Sequence, residues 1–142
     1  MNEAPVAVAT AVIFLWLGMV LAISFLEAPL KFRAPGVTIP IGLGIGRIVF
    51  RALNRAEIAL TLVALVAITV GRPPGSVVAL FAAVVVILAG QLIAVRPRLN
   101  RRSDRVLAGE NPPRSTVHLY YVALEAAKVL ALAALGIRLL AG

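Results

Sequence analysis

Apolar residues run through this chain in long blocks, without the alternation of half-buried strands or the narrow stripe of a soluble helix. A bilayer core about 30 Å thick takes roughly 20 residues of helix, and three segments meet that length directly: about 6–28, 76–95 and 116–140. The run Ile58–Val70 is too short to span alone, so its helix is expected to begin near Arg51 and to draw Asn54 and Glu57 to the membrane boundary. The pattern therefore predicts an all-α integral membrane four-helix bundle. Residues 1–142 form one domain, with spans at about 6–28, 51–71, 76–95 and 116–140 and loops at about 29–50 and 96–115.

Between the first two spans, KFRAPGVTIPIGLGIGR is punctuated by Pro35, Pro40, Gly42, Gly44 and Gly46, which predicts irregular or re-entrant backbone. GLGIG lacks the G-x-G-x-x-G spacing and the preceding strand of a dinucleotide site. Its glycines read instead as a close-packing helix start, with Gly42 and Gly46 as a small-xxx-small contact. Arg47, Arg51 and Arg55 lie four apart, on one helical face, and suggest an interfacial start to the second helix. GRPPGS is too tight a turn to hold a domain. VRPRLNRRSDRVLAGENPPRS is polar and proline-bounded, the one substantial stretch expected in solvent, and Ser115 and Thr116 look like the N-cap of the last span.

Composition strengthens the membrane reading: the 142 residues are 61% hydrophobic yet carry a formal charge of +8, and the mean hydropathy is +1.01. A soluble domain of this size has too few polar residues here to cover its surface. With no cysteine, disulfides, thiolate metal sites and cysteine nucleophiles are excluded. The N-terminus has no basic region and its apolar run is too long for a signal peptide, so it reads as a retained span. Lys31, Arg33, Arg47, Arg51 and Arg55 flank one side together with Arg96, Arg98, Arg101, Arg102, Arg105 and Arg114, whereas Arg72 and Arg138 alone flank the other. That asymmetry places both large loops in the cytoplasm and both termini outside a bacterial inner membrane. The basic loops then face anionic lipid headgroups. No nucleic-acid partner is expected, because the second loop has no aromatic residue among its charges.

The candidate chemistry lies in polar residues inside the apolar blocks. His118, Tyr121 and Glu125 share one face of the last helix, and Lys128 follows Glu125 at i+3. Glu27, Glu57 and Gln91 enter the other three spans at similar depth. An ionised side chain at mid-bilayer costs about 2.5–3.5 kcal/mol on insertion scales, and such residues face a bundle interior. Glu27, Glu57, His118 and Glu125 thus form a candidate ligand set for a divalent metal ion, with Gln91, Tyr121 and Lys128 around it, although the Glu-x-x-His spacing of di-iron bundles is absent. The same residues support a second chemistry, in which Glu125 takes up and releases a proton while a cation or small solute passes. The structural alternative is an ion pair between Glu125 and Lys128. Trp16, Tyr120 and Tyr121 read first as interfacial or packing aromatics. No serine or threonine has the context of a hydrolase nucleophile, and no catalytic residue is assigned.

WLGMVLAISFLEAPLKFRAP, VRPRLNRR and the single histidine opening the last span resemble an uncharacterised family of small four-helix bacterial integral membrane proteins, distantly similar to copper-resistance D-type membrane proteins. The resemblance implies a four-helix bundle and is compatible with a metal or small-solute role. RALNRAE, residues 51–57, is similar to the arginine-rich N-x-x-E segment of the trimeric membrane-associated glutathione and eicosanoid enzymes, with Leu53 in place of that family's histidine. This second resemblance implies that Asn54 and Glu57 lie in a glutathione-binding region, with Arg114 and Tyr121 as its last-helix Arg and Tyr. The expected function is binding or transport of a metal cation, proton or small solute at a cytoplasm-facing Glu/His site. The alternatives are a glutathione-transferase-like trimer and an accessory subunit of a larger membrane complex. A four-span transporter is expected to form a homo-oligomer or to join a membrane-complex partner.

Overall fold

The computed structural model describes residues 2–112 and 116–142, and among these the ordered elements are all helical. Four long helices follow one another: α1 (Glu3–Arg33), α2 (Ile39–Gly71), α3 (Gly75–Leu107) and α4 (Val117–Ala141). The first three are long and apolar enough to cross a membrane. Two of them are not uniform. α1 passes through a π-helical stretch at Leu21–Glu27 before a final 3₁₀ turn, and α3 passes through another at Gln91–Val95.

The loops are shorter than the sequence pattern predicted. α2 begins at Ile39, not near Arg51, so most of the expected irregular segment 29–50 is helix. Thr38 caps it, its Oγ1 accepting from the Ile41 amide at 3.4 Å. Pro40 sits in the first turn, where a missing N–H breaks no helical bond. The glycines were read both as punctuation and as a close-packing helix start, and it is through their size that Gly42 and Gly46 act. A side chain at Gly42 would run into the Phe32 ring, and one at Gly46 would come within 3.0 Å of Lys31 Nζ. The end of α1 rests directly on these two positions.

α3 likewise runs on through Arg96–Leu107, where a solvent-exposed loop was expected. Pro97 follows directly on the π-helical stretch, where the regular hydrogen-bond ladder is already interrupted. The helix ends where Gly109 adopts φ +88, with the Glu110 amide donating to the Arg105 carbonyl at 2.9 Å. Thr116 takes the cap position of α4 without a side-chain hydrogen bond; Ser115 lies outside the described residues.

The chain folds up and down. At one end, Asn2 bonds to the Val70 and Gly71 carbonyls, and Arg138 donates to Ser76 at 3.0 Å. Lys31, Arg33, Arg47 and the α3 arginines collect at the other end. α1 packs against α2 and α4, and α4 packs against α3; α2 meets α3 through the Arg96–Leu107 stretch. The core joins Ala9, Ile13, Trp16 and Val20 of α1 to Ala64 and Ile68 of α2. Val77, Phe81, Val84 and Leu88 of α3 and Leu132, Leu135 and Leu139 of α4 complete it. The buried stripe of α4 runs Tyr121, Glu125, Lys128, Leu132, Leu135, Leu139. Its polar members therefore occupy core positions, at the three- and four-residue spacing that keeps one face inward.

Candidate functional site

Where the core stripe of α4 turns polar, the bundle holds a hydrogen-bonded ionic cluster. Lys128 is fully buried, and its three N–H donors have three acceptors: Glu57 Oε2 at 2.5 Å, Glu125 Oε1 at 2.7 Å and Gln91 Oε1 at 2.9 Å. Trp16 Nε1 donates to Glu57 Oε2 at 2.9 Å. Glu125 also accepts from Gln91 Nε2 at 3.2 Å, from Tyr121 OH at 2.8 Å and from Ser24 Oγ at 2.7 Å. All four helices contribute. Taking two carboxylates and an ammonium out of water costs several kcal/mol per ion, and that cost is met only when each charge is paired and its remaining donors and acceptors are filled. Lys128 and Glu125 meet this condition; Glu57 Oε1 has no hydrogen-bond partner among the described residues.

The two π-helical stretches deliver polar groups to this cluster. Along α1 the buried positions 9, 13, 16 and 20 lead to Ser24, inside the first stretch. Along α3 the positions 77, 81, 84 and 88 lead to Gln91, at the start of the second. Wide helical turns of this kind re-aim side chains and recur at functional sites.

Five residues singled out in the sequence, Glu57, Gln91, Tyr121, Glu125 and Lys128, therefore come together. Glu27 and His118 do not join them. Glu27 stands beside Lys31 at 3.7 Å near the end of α1, and His118 is solvent-exposed at the start of α4. Among the described residues no three of His, Asp and Glu are grouped to hold a metal ion. Between the two best-placed carboxylates the positive charge is Lys128 itself. Trp16 was read as an interfacial or packing aromatic and Ser24 was not singled out, yet they are α1's contribution in place of Glu27. The position of Trp16 on the 9–13–16–20 stripe was the available signal. Of the residues in the RALNRAE segment, Asn54 is half-buried, while Glu57 is bonded to Trp16 and Lys128. Arg114 lies outside the described residues.

Next to the cluster, at the Lys- and Arg-rich end, is a cavity of about 680 Å³. Phe25 and Phe32 of α1, Phe50 of α2, Arg96 of α3, and His118 and Glu125 of α4 are among the residues lining it. Glu125 therefore belongs to both features: it is among the residues lining the cavity, while both of its carboxylate oxygens have partners in the ionic cluster. The Arg96 guanidinium lies over two aromatic faces, 4.5 Å from the Tyr121 ring centre and 4.8 Å from that of Phe50. Those rings meet edge to face at 5.9 Å. Arg47 is paired with Asp104 across α2 and α3, which ties the rim together. Compared with known proteins, the chain matches no family model, no curated protein and no solved structure.

Proposed function

We propose that this chain is a multi-pass protein of the bacterial cytoplasmic membrane, with both termini outside, that binds and moves a small solute or a proton through an intramembrane polar site reached from the cytoplasm. Two features support insertion. Within each of the three most apolar helices only 28% of the apolar window is buried inside the bundle. Val86, Ile93 and Leu130 are each at least 70% exposed, and surface of this kind belongs against lipid.

The observation that carries the functional reading is the cavity wall formed by Glu125. It connects the basic end of the bundle to a buried carboxylate bonded to Ser24 of α1 and Gln91 of α3 and, through Lys128, to Glu57 of α2. Glu57, Glu125 and Lys128 together carry one net negative charge when ionised, so one added proton neutralises the set. Beyond them the path is closed by Ile13, Ala64, Val84 and Leu132, all buried. Passage across the membrane then requires rearrangement of the helices or assembly with a second copy. The cluster gives the divalent-metal reading no comparable support.

Two measurements test this. In reconstituted vesicles the wild-type chain is expected to speed the decay of an imposed pH difference, and Glu125→Gln to return decay toward that of protein-free vesicles. Equal decay in all three counts against proton movement. Because the chain has no cysteine, single substitutions report access cleanly. Asn100→Cys, on the cavity wall, is expected to react with an impermeant maleimide only in vesicles that expose the cytoplasmic face, while Leu132→Cys stays unreactive from both faces. Labelling of Asn100→Cys from the outside would reverse the orientation.

A further inference from the structure

The cavity beside Glu125 has a wall of unfilled hydrogen-bond donors. Arg96 Nε and Nη2, Arg102 Nε and Ser103 Oγ are buried, and none has a hydrogen-bond partner among the described residues. All three residues line the same cavity, and all come from the Arg96–Leu107 stretch of α3. A buried donor left unmade costs about 1–3 kcal/mol, more when charged, so such groups are normally paired. Three neighbouring residues sharing that condition on one wall is a property of the wall.

The way Arg96 is held shows what it is prepared for. The Arg96 guanidinium lies over the Phe50 and Tyr121 rings, 4.8 and 4.5 Å from their centres, which fixes its position through cation–π contact. The in-plane N–H fork is left open, and that fork is what matches an oxyanion in two-point contact. Lys31 adds an ammonium to the same cavity, with its side chain 9% exposed. Arg47 is neutralised by Asp104, Lys31 is paired with Glu27 at 3.7 Å, and the one net negative charge of Glu57, Glu125 and Lys128 is outweighed at this wall by Arg96 and Arg102. The donors of Arg96, Arg102, Ser103 and Lys31 exceed what the two oxygens of a carboxylate can accept. They suit the three terminal oxygens of a phosphate group. The opposite wall is apolar, with Phe25, Ala28, Leu43 and Val122; Phe25 is 42% and Val122 40% exposed, so this wall continues to the outer surface of the bundle.

We propose that this cavity binds a phosphate group carried on an apolar chain, with the phosphate on Arg96, Arg102 and Ser103 and the chain along the Phe25 and Val122 wall. This rests on the reading of the cavity as the cytoplasm-facing site and names the class of ligand it takes. It does not depend on proton movement, so binding measured in detergent and pH decay measured in vesicles fail separately.

The test is binding of dodecyl phosphate to the full chain in a neutral maltoside detergent, read by thermal stabilisation and by native mass spectrometry, with inorganic phosphate as competitor. Dodecyl phosphate is expected to bind the wild type, and Arg96→Gln to weaken it by about 10- to 100-fold, the usual worth of charge-assisted hydrogen bonds. Arg102→Gln, the second arginine of the same wall, is expected to weaken it in the same direction and serves if Arg96→Gln does not fold. Arg98→Gln, an exposed arginine of the same helix that does not line the cavity, controls for loss of charge alone. Competition by inorganic phosphate at equal concentration would keep the phosphate assignment but assign the site to a free phosphate rather than an amphiphile. No binding by the wild type, or an equal loss in Arg98→Gln and Arg96→Gln, overturns the proposal.

Discussion

Replacing Lys128 by methionine is expected to destabilise the bundle by about 3–5 kcal/mol, the usual cost of removing one partner from a buried charge pair. Methionine approximates the length and volume of the lysine stem, so the loss is electrostatic rather than a packing defect. The ammonium binds Glu57, Glu125 and Gln91 at once, and without it two carboxylates face each other across a dry interior. The same argument fixes the rescue. Adding Glu57→Gln and Glu125→Gln to Lys128→Met removes the uncompensated charges, and the triple variant is expected to recover most of the lost stability, since neutral replacements of buried ion pairs are often well tolerated. Unfolding of the purified chain in mixed micelles measures both. A single variant as stable as the wild type would mean that water reaches Lys128.

Placing arginine at Val86 is expected to cost about 2.5–3.5 kcal/mol of insertion free energy, roughly a hundredfold in the ratio of inserted to excluded helix. Val86 is 70% exposed and stands about 16 Å along α3 from Gly75 at 1.5 Å per residue. In a layer about 30 Å thick it is therefore near the middle. In water the same substitution on an exposed helix face would fall within about 0.5 kcal/mol of neutral. The contrast makes the measurement decisive: if Val86→Arg integrates into membrane vesicles as completely as the wild type, the exposed apolar faces are not lipid-facing and the membrane reading fails.

Much of the architecture was legible from the blocks of apolar residues. Four helices, the tight Gly71–Gly75 turn and the inward face of α4 all follow from block length and from three- and four-residue spacing. Helix extent was not legible at two places, for a shared reason. Proline and glycine mark broken backbone in an isolated segment, but Pro40 falls in a first turn, Pro97 follows a π-helical stretch, and Gly42 and Gly46 sit where α1 needs close approach. For the prolines the position within the helix overrode the local signal, and for the glycines the packing of α1 did. The same limit applies to the site. That Glu57, Gln91, Glu125 and Lys128 must face inward could be argued from the cost of lipid exposure. The i,i+4 spacing already allowed Glu27 to pair with Lys31, but that Lys128 would choose Glu57 as well as Glu125, and that Glu27 would stay outside the cluster, depended on the rotation of α1 and α2 about their axes.

By itself, then, the sequence determined the helical class, the apolar thickness of each element, the charge asymmetry of the two ends and the inward stripe of α4, because these depend on residue order along one helix. Tertiary structure alone decided that Trp16 and Ser24 complete the ionic cluster, that Arg96 lies over the rings of Phe50 and Tyr121, and that a polar stretch expected in solvent forms the donor-rich wall of a cavity. These features require side chains from different helices to meet within about 3–5 Å, and helix phase and packing, which set such distances, are not written in the periodicity of any one segment.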